Sequence, residues 1–194
     1  MKKIILLGDS LMAGFDGEKM TDGVTEEVRT HIANMGFPME VENVGRPGDL
    51  TKDGLARLDE DVLSKNPDYV AIFFGNDLKN EAVTKETYLT NMKKMVDLIG
   101  KDKVVLVTPA YVDPQQHRLD RKGDDIHAYG KALVDYAKEN GISVIDLAYH
   151  MAVYPATAEF LQADGLHFSK WGNQLLGSLI ARNIKIKEMN LVTE

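Results

Sequence analysis

The stretch Lys3-Ile4-Ile5-Leu6-Leu7-Gly8-Asp9-Ser10 decides how this chain is read. An apolar run over 3–7 has the length and composition of a buried strand, Gly8-Asp9 breaks it, and Ala13-Gly14 lets the backbone leave the turn without bulk above the Ser10 hydroxyl. A serine so placed stands at the carboxyl end of a strand. Two readings of it compete. Ser10 is a nucleophile, or it caps the following helix, as serine and aspartate commonly do. The first reading requires a base, an orienting carboxylate and donors for an oxyanion elsewhere in the chain.

Working outward, strand-like runs recur at 39–43, 69–74, 103–108 and 143–146. Between and after them, apolar residues at three-to-four spacing predict helices over 21–35, 51–65, 85–99, 124–140 and 169–188. Strand and helix alternating through the whole length predict an α/β fold: a three-layer α/β/α, doubly wound domain around a five-stranded parallel sheet. In such sheets ligands bind beyond the carboxyl ends of the strands, where loops meet at a topological switch point. The residues of interest do follow strands. Ser10 follows the first, Asn43-Val44-Gly45-Arg46-Pro47-Gly48-Asp49 the second, Gly75-Asn76-Asp77 the third and Pro109-Ala110-Tyr111 the fourth. The charged, Gln-bearing stretch 113–125 reads as an exposed surface connection rather than a lid.

The chain has 194 residues, 44% of them hydrophobic and 27% charged, which suits one domain over 1–194 with a sizeable core. Cysteine is absent, so no disulfide framework, thiolate metal site or cysteine nucleophile is available, and a cytoplasmic location is the simplest expectation. The apolar run at 4–7 is shorter than the roughly 7–15 residues of a secretory signal, and no run approaches the roughly 20 of a membrane helix. No membrane insertion is expected. A net charge of −7 without a basic stripe also argues against nucleic acid as a partner. Oligomeric state leaves no signal.

A serine hydroxyl needs a histidine to take its proton. Of five histidines, His31, His117 and His150 fall in helical or polar surroundings that give them surface or core duties. Two have an aspartate three residues earlier: Asp124 before His127, and Asp164 before His167. The first pair begins a predicted helix, where aspartate suits the dipole. The second occupies a loop containing Gly165, just before the last helix, and a loop can fold carboxylate and imidazole to one side. Gly48 after the second strand and Asn76 after the third suit an oxyanion, one through a backbone N–H, the other through an amide. Taken singly, each is equally a turn residue.

The ordered set Ser, Gly, Asn and Asp-x-x-His resembles the SGNH hydrolases, the GDSL family of esterases and lipases. Gly8-Asp9-Ser10-Leu11 matches the nucleophile block, 43–48 the glycine block, Gly75-Asn76-Asp77 the asparagine block, and Asp164-Gly165-Leu166-His167 the acid and base block. The resemblance implies a flavodoxin-like sheet and a Ser10–His167–Asp164 triad. It implies an oxyanion hole from the Ser10 and Gly48 amides with the Asn76 side chain, and acyl-ester hydrolysis without metal or organic cofactor. One departure stands out. The family's third block reads Gly-x-Asn-Asp, whereas Phe74 precedes Gly75-Asn76-Asp77 here, as a replacement of that first glycine or the loss of one residue. Either change predicts a displaced Asn76.

The expected activity is attack by Ser10 on a carboxylic ester or thioester of a small molecule, through an acyl-enzyme. Carbohydrate O-acetyl esterase chemistry uses the same triad, and a catalytically weak ligand-binding relative is the reading from another class. A phosphate-accepting receiver shares the sheet, but Asp9 and Asp77 match its needs only loosely. Phe15, Phe73, Phe74, Tyr111, Tyr154 and Phe160 are candidates for an acyl pocket, though most such residues serve the core.

Overall fold

The computed structural model describes residues 1–190, the side chains of Asn80 and Glu81 excepted. In chain order its elements are β1 (Lys3–Gly8), α1 (Ser10–Ala13), α2 (Gly23–Asn34), β2 (Glu40–Asn43), α3 (Thr51–Ala56), α4 (Leu58–Asp61), β3 (Tyr69–Phe73), α5 (Lys85–Ile99), β4 (Val104–Val107), α6 (Pro114–His117), α7 (Gly123–Asn140), β5 (Ser143–Ile145), α8 (Leu147–Ala152) and α9 (Lys170–Glu188). All sheet pairings are parallel and the strand order is β2-β1-β3-β4-β5. This is the expected five-stranded α/β sheet.

The alternation of side chains along β1 explains the three layers. Ile4 and Leu6 point into one core with Val24, Val28 and Ile32 of α2 and Leu176, Ile180 and Ile184 of α9. Ile5 and Leu7 point into a second core with Leu58 of α4, Met92, Met95 and Val96 of α5, and Leu133 of α7. All four strand residues are fully buried, and burial of each contributes about 1.5–3 kcal/mol. Both faces of β1 are therefore covered, which is why its sequence is a continuous apolar run instead of an alternating one. Truncating Leu6 to alanine costs about 2–5 kcal/mol.

The chain leaves β1 for β2 on one side and returns to β3 on the other, so the switch point lies between the carboxyl ends of β1 and β3. The helix expected over 51–65 is broken there. Arg57 ends α3 with φ −100° and ψ 6°, because its guanidinium is drawn inward to the Asp49 and Asp61 carboxylates and to the Val44 and Gly8 carbonyls. Tertiary bonds outweigh helix propensity at that residue. Among the described residues no helix is long and apolar enough to cross a membrane.

Candidate active site

The turn after β1 is capped by Asp9, not by Ser10. One oxygen of the Asp9 carboxylate accepts from the Leu11 N–H at 3.0 Å, and the other from the Gly75 and Asn76 N–H groups at 2.7 and 3.0 Å. A single buried side chain thus fixes the start of α1 and clamps the end of β3 against it. Burial pushes the Asp9 carboxyl above its usual range, opposed by those three backbone donors and by the Arg121 charge. With the cap supplied by its neighbour, the Ser10 hydroxyl is free of that task.

Phe74 does not push Asn76 out of the switch point. Gly8 of β1 sits opposite Phe73 of β3 in regular register, and Phe74 turns away into the second core, fully buried. Room for its ring comes from Gly54 in α3, where an added Cβ would lie 2.3 Å from the Phe74 ring. Asp77 reaches across to the same helix and accepts from the Thr51 N–H and hydroxyl at 2.9 and 2.5 Å. Asn76 then lines one cleft with Ser10. Its Nδ2 donates to the Asp49 carbonyl at 3.3 Å, which ties it to the loop carrying Gly48. Gly48 itself has φ 89°, a conformation open chiefly to glycine, and its N–H makes no hydrogen bond within the chain among the described residues.

The two Asp-x-x-His pairs separate clearly. Asp124 and His127 share no hydrogen bond among the described residues, and His127 is an exposed side chain on the first turns of α7. Asp164 and His167 lie in the loop before α9, where the carboxylate meets the ring Nδ1 at 2.6 Å and also accepts from the Leu166 and His167 N–H groups, each at 3.0 Å. Burial alone pushes the Asp164 carboxyl up, but the His167 ring and the two backbone donors outweigh it and the net direction is down. A proton on Nδ1, donated to Asp164, leaves Nε2 with its lone pair. Phe15 stands edge-on to the His167 ring with centroids 5.0 Å apart, and the Phe15 N–H donates to the Ser10 carbonyl at 3.0 Å. That ring is thereby brought beside the Ser10 turn, although no hydrogen bond joins the two side chains among the described residues.

The cleft over Ser10 is small, about 20 Å³, and is lined by Asp9, Asn76, Pro109, Val112, Ile126 and Leu166, among others. Beyond Val112 and Ile126 it adjoins a wider groove of about 670 Å³ between α7 and α8. Of the aromatic candidates, Phe73 and Phe74 belong to the cores, Tyr111 lines the wider groove, and Tyr154 and Phe160 line a separate one beside α9. Sequence reading missed Arg121. The stretch 113–125 is not a plain surface loop, since Arg121 is 6% exposed, lines the Ser10 cleft and donates to the Asn76 Oδ1 at 2.9 Å. Among the described residues no group of three or more His, Asp or Glu is placed to hold a metal ion.

Known proteins resemble this chain in sequence and in fold. The lipase/acylhydrolase from Enterococcus faecalis, whose crystal structure is known, is 44% identical and superposes with a TM-score of 0.91 over 97% of each chain. An acetylxylan esterase of Geobacillus stearothermophilus is 28% identical over 169 residues, which is 75% of this chain and 72% of that protein. The isoamyl acetate-hydrolyzing esterase 1 homolog of Rattus norvegicus is 32% identical over 133 residues, 58% of this chain and 53% of that protein. Residues 6–175 match the GDSL-like lipase/acylhydrolase family. The chain belongs to that family, and is a hydrolase acting on ester bonds.

Proposed function

We propose that this protein is a serine acylhydrolase of small-acyl esters, acting through Ser10, His167 and Asp164. The observation that carries the reading is the 2.6 Å contact between Asp164 and the His167 Nδ1, beside a turn where Ser10 and Asn76 share one cleft. Nε2 of His167 takes the Ser10 proton as Oγ attacks the ester carbonyl. The Ser10 and Gly48 N–H groups and the Asn76 Nδ2 receive the oxyanion, and removal of one such donor costs on the order of 10²–10³ in rate. The histidine then protonates the leaving alcohol, an acyl-Ser10 intermediate remains, and water activated by the same nitrogen releases the acid. Asp164 holds the ring tautomer throughout.

A small acyl group is favoured by the small cleft, and two of the three named relatives are described as an acetylxylan esterase and an isoamyl acetate-hydrolyzing esterase homolog. The remainder of the ester extends into the wider groove along α7 and α8. Thioesters are open to the same chemistry. Ser10→Ala assayed on p-nitrophenyl acetate tests the reading: kcat falls by about 10⁴ or more, and unchanged turnover ends it. A second reading, deacetylation of carbohydrate, is favoured by the similarity to the Geobacillus acetylxylan esterase. Acetylated xylo-oligosaccharides compared with p-nitrophenyl acetate and butyrate separate the two, by the ratio of kcat/KM.

A further inference from the structure

We propose that Arg121 is a positioning residue that sets which end of the Asn76 amide faces the reacting carbonyl, a role that rests on Asn76 being an oxyanion donor. An asparagine amide has an accepting and a donating end of nearly equal size, and rotation by half a turn exchanges them. Flipped, Asn76 would present a lone pair to a developing negative charge. Arg121 removes that ambiguity, because a guanidinium only donates. Its Nη2 lies 2.9 Å from Asn76 Oδ1, so the oxygen is held on the arginine side and Nδ2 is directed to the opposite side, where the Asp49 carbonyl next to Gly48 accepts from it.

Arg121 is itself held. Its Nη1 donates to the Asp120 carboxylate at 2.8 Å, and Asp120 lies 3.2 Å from Nδ1 of His117. The other nitrogen of that ring, Nε2, meets the carbonyl of Asp164 at 2.8 Å. The segment carrying α6 therefore links the two halves of the site, from the backbone of the proposed triad acid to the side chain of the proposed oxyanion donor. The same segment is pinned to the 164–167 loop by the Asp113 N–H, which donates to the Gly165 carbonyl at 2.8 Å. A buried guanidinium with one face on Asn76 and another on a carboxylate has little freedom to turn toward substrate.

The test is a double-mutant cycle on p-nitrophenyl acetate with wild type, Arg121→Met, Asn76→Ala and the double variant, and with Arg121→Lys as the conservative member. Urea unfolding confirms that each is folded. Arg121→Met is expected to lower kcat about 10- to 100-fold, up to the cost of a misplaced donor and no more than that of a missing one, with KM within about twofold. Arg121→Lys restores part of the loss. In the Asn76→Ala background the arginine substitution costs less than about twofold, because the group it orients is gone. A loss that is equal in both backgrounds, or that falls on KM alone, overturns the proposal, since it describes an arginine touching substrate directly. An unaffected kcat in Arg121→Met overturns it too. Should Arg121→Met fail to fold, Arg121→Lys and Asp120→Asn carry the same cycle. An Asn76→Ala enzyme with full kcat removes the oxyanion reading and this one with it, whereas a large Asn76 effect additive with that of Arg121 removes only this one.

Discussion

Two aspartates hold the site from opposite sides, and they do so with similar bonds in different surroundings. Asp9 and Asp164 each accept backbone N–H groups at a turn. Asp9 is 1% exposed and joins two strand ends, while the Asp164 side chain is 41% exposed and holds an imidazole. Burial raises the carboxyl of the first, and the His167 ring with the backbone donors brings down the second. The difference teaches that the same carboxylate geometry serves architecture where water is excluded, and chemistry where a titrating partner stands beside it.

The comparison breaks if the two residues exchange effects. Asp164→Asn is expected to lower kcat on p-nitrophenyl acetate by about 10⁴, through loss of the correct His167 tautomer, while urea unfolding moves by less than about 1 kcal/mol. Asp9→Ala strands three N–H groups, one buried and two half-buried, and is expected to cost about 2–4 kcal/mol in the same unfolding measurement. Its kcat falls as well, because the Ser10 turn and Asn76 lose their common clamp. A stability loss confined to Asp164→Asn contradicts the assignment of roles.

The smallest effect is the dependence of stability on pH, and its sign differs between the two. Asp164 has its carboxyl lowered in the fold, so its contribution is present above the ordinary carboxylate value of about 3.9 and is lost as pH falls through the lowered one. Asp9 has its carboxyl raised, so its contribution is fully present below that ordinary value and is lost as pH rises through the raised one. Urea midpoints measured from pH 3 upward should show the gap between wild type and Asp164→Asn widening, and that between wild type and Asp9→Asn narrowing. Slopes of the same sign contradict the contrast.

Much of this was legible in the sequence because it is local. The run at 3–7 announced a strand covered on both faces, and β2 to β5 were found within a residue or two of their ends, since each is bounded by turn-forming residues. Asp164 and His167 were readable because three residues in a loop are enough to bring carboxylate to ring. Phe74 misled in its consequence: the sequence shows the missing glycine of the block but not the empty side of α3 that receives the ring. Arg57 broke a helix through bonds to four groups, two of them, the Val44 and Gly8 carbonyls, 13 and 49 residues away and not foretold by its neighbours. Arg121 was hidden for the same reason. Its partner Asn76 is 45 residues away, and a polar segment carrying a buried cation looks, as a string of letters, like a solvated loop.

The packing of Phe74 on Gly54 couples two positions far apart in the sequence. A large ring at position 74 demands a void in α3 twenty residues upstream, and Gly54 leaves it. Gly54→Ala therefore forces the Phe74 ring or the α3 backbone to shift, because an added methyl overlaps the ring, and is expected to lower the urea midpoint.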